Sequence, residues 1–148
     1  MSSIEKFDHA FINFSKKNYP WIARIALFVI FFLFGFLKLI GASPATDLAL
    51  GFATKMGAGS YGHELFIALA CIECLIGLMI LLPKLTRPAI FIMLLHMLLV
   101  SAPLVLYPEA TWSAPFVPNL EGQYIIKNIA LVALALGLVA ATPPLKKK

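Results

Sequence analysis

Residues 70–82 read ACIECLIGLMILL, an apolar run interrupted by one acid, Glu73, and closed by Pro83. Apolar residues fall on every side of this stretch instead of along one stripe or at alternate positions. That is the pattern of a helix with apolar surroundings on all faces. Extended back to His63, the run has the roughly 20 residues that carry a helix once across a bilayer.

Working outward, the rest of the chain has the same character. Its 148 residues are 61% hydrophobic and 13% charged, with a mean hydropathy of +0.91, whereas soluble domains are roughly half apolar. An integral membrane protein is the reading, and the length leaves room for about four crossings with short loops. The net charge of +5 does not indicate nucleic acid, because the basic residues sit at the ends of apolar runs, where lipid headgroups lie. The first twenty residues lack an apolar h-region, so no cleaved signal peptide is expected.

The first span follows Tyr19-Pro20-Trp21, which reads as a helix stop, a restart and an interfacial aromatic pair, and it runs to about Ala42. Before it, Ile4, Phe7, Phe11 and Phe14 recur at spacings of three and four among Lys6, Asp8, His9, Asn13 and Lys17. This predicts an amphipathic helix that lies on the membrane surface or caps the bundle end. The stretch 43–62, SPATDLALGFATKMGAGSYG, predicts an outer loop with one short interfacial helix. The second span is 63–82, the third about 89–107 after the turn PKLTRP, and the fourth about 123–141. PEATWSAPFVP between the last two reads as a loop, and TPPLKKK ends the chain.

Lys16, Lys17 and Arg24, then Lys84 and Arg87, then Lys146, Lys147 and Lys148 all fall on one side of a four-span topology. The positive-inside rule therefore predicts cytoplasmic termini in the inner membrane of the cell. The expected fold is all-α: an up-down-up-down bundle of four transmembrane helices over residues 21–142, preceded by a surface helix (1–20) and followed by a basic tail (143–148).

Four ionisable residues fall at membrane depth: Lys38, Glu73, His96 and Lys127. Each costs roughly 2.5–3.5 kcal/mol at a helix centre, so such residues face the bundle interior and find partners. At 1.5 Å per residue, Lys38 and Lys127 lie roughly 8 Å in, Glu73 roughly 15 Å in, and His96 within a few ångströms of Glu73's level. Alone in hydrocarbon Glu73 would hold its proton; beside a lysine it would ionise. This suits a proton relay or polar-ligand site in which Glu73 and Lys127 are the catalytic candidates and Lys38 and His96 bind substrate. A permanent bridge that only fixes helix register satisfies the same residues.

Cys71 and Cys74 form a CxxC in mid-helix, where no helix dipole lowers the thiol pKa and a disulfide would be strained, so they read first as packing residues and second as a redox pair. Gly35, Gly41, Gly77 and Gly137 mark close helix approaches. No His/Cys/Asp cluster has metal-ligand spacing, and no phosphate loop, GxSxG or HExxH occurs.

Arg24 with the span ending FGFLKLIG, Glu73 with Gly77 and LLPKLTRP, and the junction PNLEGQYIIKNIALVALALG together resemble the DoxX-like family of small four-helix membrane proteins. The resemblance covers about residues 21–142, with PNLEGQYIIKN its most distinctive part, and it marks Lys38, Glu73 and Lys127 as the family's polar positions. It implies a component of a quinone-linked oxidoreductase system, with quinone as the group handled and a redox partner subunit or a homo-oligomer as the assembly. A non-catalytic assembly subunit or small-solute carrier is the other implication. The helix arrangement is also similar to that of quinone-reducing thiol enzymes, whose second cysteine pair this chain lacks.

Overall fold

Residues 2–144 are described by a computed structural model; Lys146, Lys147 and Lys148 of the expected basic tail lie outside the described residues. Helix α1 spans Ser3–Leu39 and starts on a capping box: Ser2 Oγ accepts from the Glu5 amide at 3.2 Å and Glu5 Oε2 accepts from the Ser2 amide at 2.8 Å. It ends where Gly41 takes a φ of 71°, a left-handed turn that a side chain would oppose, while the Ala42 amide closes on the Leu37 carbonyl at 2.8 Å.

The expected stop at Tyr19-Pro20-Trp21 does not occur, and α1 runs unbroken through Pro20. A proline in a helix removes one backbone bond, here the one to Lys16. The Lys16 side is exposed, at the point where α1 leaves the bundle, so solvent or headgroups can satisfy that carbonyl. Residues 3–39 form one helix, so no break falls between residue 20 and residue 21.

Helix α2 (Thr46–Lys55) is the short helix expected in the first outer loop. It is followed by α3 (Gly62–Leu81), a single turn at Pro83–Leu85, and α4 (Thr86–Ser101). Pro103 starts a further turn, α5 (Pro103–Leu106). The segment read as loop is instead a small folded cap, made of α6 (Pro108–Thr111) and a two-stranded antiparallel hairpin, β1 (Trp112–Ala114) with β2 (Val117–Pro118). Its proline content concealed this, because Pro108 sits harmlessly at a helix start and Pro118 at the end of an edge strand. Helix α7 (Leu120–Ala140) completes the chain.

Helices α1, α3, α4 and α7 are each long and apolar enough to cross a membrane, α4 together with α5. They form a ring in which α1 packs on α3, α3 on α4, α4 on α7 and α7 on α1. Neighbours run antiparallel. Gly77 lies against Phe28 and Phe32 while Gly35, later in α1, lies against Ala70 and Cys74, earlier in α3. Likewise Tyr19, where α1 enters the bundle, donates its hydroxyl to the Leu134 carbonyl late in α7 at 2.9 Å.

The interior is built from Leu27, Phe31, Ile76, Ile80, Met93 and Leu138 with small residues between them. Outward faces carry Phe91, Leu98 and Ile129, each at least 65% exposed. So much apolar surface left open on helices of this length is the signature of contact with lipid.

The PNLEG junction is the joint between the cap and α7. Asn119 caps α7 by accepting from the Gly122 amide at 2.9 Å, and its side-chain amide donates to the Ala110 carbonyl at 2.8 Å. Gly122 passes so near the Thr111 carbonyl that an added Cβ would stand 2.1 Å from its oxygen.

The outer segments are also tied by Lys55 and Glu109, whose charged atoms are 2.6 Å apart on the exposed surface. Their mutual hydrogen bond lowers the Glu109 carboxyl below its ordinary 4.5 and raises the Lys55 ammonium above its ordinary 10.5. Glu109 therefore contributes above about pH 4.5 and loses its contribution as pH falls through its depressed value. Lys55 contributes below about pH 10.5 and loses it as pH rises past its raised value. Amide exchange in α2 should be slowest between these limits, and Glu109→Gln should remove the acid limb alone.

Candidate functional site

Lys38, Glu73 and His96 come from three different helices and meet inside the bundle. Lys38 lies one turn from the end of α1, on the stripe Ala23, Leu27, Phe31 and Gly35 that faces inward. Glu73 lies midway along α3 in the inward series Phe66, Ala70, Glu73, Ile76, Gly77 and Ile80. His96 shares the inward face of α4 with Met93 and Met97. Each of the three is less than a tenth exposed.

The acid is the hub. Lys38 Nζ donates to Glu73 Oε2 at 2.5 Å, and His96 Nε2 lies 3.2 Å from Oε1. Each carboxylate oxygen thus has its own cationic or potentially cationic partner, which is what a charge in a dry interior requires. The ring of Phe31 meets His96 edge-on with centroids 5.8 Å apart, fixing the imidazole plane. His96 Nδ1 is buried without a hydrogen-bond partner, and it is the one such side-chain atom among the described residues.

This leaves a chemically specific arrangement. If the neutral imidazole carries its proton on Nε2 and donates it to Glu73, Nδ1 presents a bare lone pair. A proton arriving at Nδ1 would make an imidazolium whose Nε2 already faces a carboxylate.

Close approach of α1 and α3 is what lets Lys38 reach Glu73. An added Cβ on Gly35 would stand 2.9 Å from the Ala70 carbonyl oxygen, the Cys74 amide nitrogen and Cys74 Sγ, and one on Gly77 would stand 2.9 Å from the Phe32 amide nitrogen. Backbone lies against backbone at both crossings, as small residues in membrane helices permit.

Lys127 does not join the cluster. The inward face of α7 is carried by Gly122, Ile125, Ala135 and Leu138. Position 127 is two residues from Ile125, roughly 200° around the helix, and therefore faces outward. Its side chain is exposed, with Nζ 5.4 Å from the centre of the Tyr124 ring. Depth along the sequence put Lys127 in the same belt as Glu73; the rotation of α7 took it to the other side.

The four residues predicted to line one cavity do not all converge, since Lys127 faces away. Two open cavities lie elsewhere, one beside Arg24 and Lys84 and one between Leu104 and Phe116, and neither is lined by Lys38, Glu73 or His96.

Cys71 and Cys74 are free thiols. Cys71 is exposed, whereas Cys74 is half-buried against Gly35, its Sγ 3.8 Å from the Phe32 carbonyl.

Arg24 is a functional candidate that counting surface charges missed. It is 6% exposed, and its Nη1 donates to the Ile80 carbonyl in the last turn of α3 at 2.7 Å. Its spacing, four residues after Pro20 and three before Leu27, places it on the inward stripe of α1. Compared with protein-family models, with curated proteins and with solved structures, the chain matches none, so the DoxX-like resemblance rests on the residues of the sequence alone.

Proposed function

We propose that this chain is a DoxX-like, multi-pass subunit of the inner membrane with both termini cytoplasmic. Its buried Lys38–Glu73–His96 centre holds and passes a proton for a quinone-linked oxidoreductase system. The observation that carries the reading is the bare, buried Nδ1 of a histidine whose other nitrogen faces a carboxylate. Lys38 and His96 hold the two carboxylate oxygens of Glu73, and Nδ1 of His96 is the atom that takes up the proton. No step on quinone is assigned to these residues, and the redox group is placed on a partner subunit.

The pairing of Glu73 with both Lys38 and His96 supports a second reading, that of a fixed ionic clamp in a non-catalytic assembly subunit or solute carrier. Glu73→Gln and His96→Gln separate the two. A proton-passing centre predicts a loss of quinone-linked turnover in membranes of about a hundredfold in either variant, with the bundle still folded. Unchanged turnover in both variants, with lower yield or failed complex assembly, would leave the clamp.

A further inference from the structure

At the end of the bundle where α1 enters and α3 ends, a cavity of about 220 Å³ is walled by Pro20, Arg24, Pro83, Lys84, Leu138 and Ala141 among others. Two of its lining residues are cations and none is an acid. The Arg24 guanidinium has five N–H donors, yet its one hydrogen bond goes to the Ile80 carbonyl. No carboxylate among the described residues pairs with it, although it is only 6% exposed. The acids of the described residues are elsewhere: Glu73 is held by Lys38 and His96, Glu109 by Lys55, Asp47, Glu64 and Glu121 lie in the first turns of α2, α3 and α7 at the other end of the bundle, and Glu5 and Asp8 lie at least four helical turns back along α1.

A buried guanidinium with spare donors, a lysine beside it, and apolar proline, leucine and alanine walls is a receptor for an anion attached to something greasy. We propose that this cavity binds the phosphate of an anionic lipid headgroup, with Arg24 donating to the phosphate oxygens, Lys84 adding charge at the rim, and the apolar walls receiving the start of the lipid's glycerol and acyl portion. The location fits, since the helix ends that frame it lie at headgroup level. A free phosphate shares the recognised chemistry, and the experiment distinguishes the two sources.

The full chain, purified in neutral detergent and stripped of lipid, is followed by native mass spectrometry and thermal unfolding with phosphatidylglycerol, phosphatidylcholine or inorganic phosphate. Phosphatidylglycerol should be retained as an adduct and raise the unfolding midpoint, and phosphatidylcholine should do neither. Lys84→Ala should weaken retention about fivefold. Ala141→Trp, which fills the cavity from its exposed rim and leaves the Arg24–Ile80 bond intact, should abolish it. Lys16→Ala, a charge at the same end but outside the cavity, should change nothing. Stabilisation by inorganic phosphate equal to that by phosphatidylglycerol keeps the site and makes a free anion its occupant. Undiminished retention in Ala141→Trp and Lys84→Ala, or an equal loss in Lys16→Ala, overturns the proposal.

A separate observation concerns the arm of α1 before Pro20. Residues 2–17 are exposed. The stripe Ile4, Phe7, Phe11 and Phe14, continued at spacings of three and four, passes through Trp21 and Ile25 to Val29 and Phe36, all exposed. It is thus one line with the outward, lipid-directed face of the span. Pro20 lies on the opposite side, in series with Leu27 and Phe31. The proline ring crowds the carbonyl four residues back, so a helix that yields there opens on the proline side and bends away from it.

We infer that α1 bends at Pro20 so that the arm swings outward and lays its phenylalanine stripe on the adjacent leaflet. Bending in that direction turns the outward stripe toward the bilayer, whereas bending the other way would turn it to water. The test is Phe11→Trp in a background where Trp21 and Trp112 are phenylalanine, reconstituted in vesicles containing brominated lipid. Quenching of residue 11 that falls severalfold when Pro20 is replaced by alanine is expected. Fluorescence as unquenched as in plain vesicles, or quenching indifferent to Pro20, overturns the inference.

Discussion

Lys38→Met is expected to destabilise the bundle by about 3–5 kcal/mol, the usual consequence of removing one member of a buried ion pair. The loss is large because Glu73 is less than a tenth exposed and would keep only His96 as a partner. The carboxylate must then take a proton or remain an unpaired charge in an apolar interior, and both are unfavourable. Adding Glu73→Leu to Lys38→Met should recover most of the stability, since a well-packed apolar pair often equals a buried ionic one. Reversible unfolding in mixed micelles, with both single variants and the double, measures this. A double variant no more stable than Lys38→Met would show that the pair does not act as a unit. The same double variant should be inactive if the centre passes protons, which separates stability from function in one protein.

Gly35→Val should be at least as damaging, by about 3 kcal/mol or more, the upper range for forcing volume into a packed interior. The mechanism is geometric. Two of the three atoms 2.9 Å from an added Cβ are backbone, the Ala70 carbonyl oxygen and the Cys74 amide nitrogen, and neither can rotate away. The helices must separate, and because Lys38 lies one turn from Gly35 the Lys38–Glu73 contact lengthens with them. Cys74→Ala should fail to rescue the variant, since it removes only the Sγ contact. Full rescue by Cys74→Ala would mean that the crossing is held by side chains and not by backbone. A loss of turnover in Gly35→Val beyond the loss of folded protein would tie the crossing directly to the site.

How far the molecule was legible in its sequence depends on which dimension is asked about. Position along the membrane normal was readable, because helical rise is constant and apolar runs must match a bilayer. Lys38, Glu73 and His96 were therefore assigned to one level, and they meet there. Rotation about the helix axis was less readable. In soluble proteins a polar face betrays the buried one, but α7 is apolar nearly all round, and Lys127 was the casualty. The inward stripe of α1 carried a signal that went unused: Pro20, Arg24, Leu27, Phe31, Gly35 and Lys38 recur at spacings of three and four, which marks Arg24 as interior and not as a surface charge. The cap was hidden for a different reason. Its prolines suit the starts of short elements as well as loops, and what folds it is contact at a distance, Asn119 with Ala110 and Trp112 Nε1 with the Leu104 carbonyl at 2.9 Å.

By itself, then, the sequence determined the class of molecule, its four long apolar helices and the level of its acid, because hydropathy, length and helical rise are local quantities that survive any packing. Only the tertiary structure decided that Glu73 is shared between Lys38 and His96 and that Lys127 stands outside. Those outcomes depend on the rotation and spacing of whole helices, which are set by a few glycine contacts between backbones and cannot be summed from residues taken one at a time.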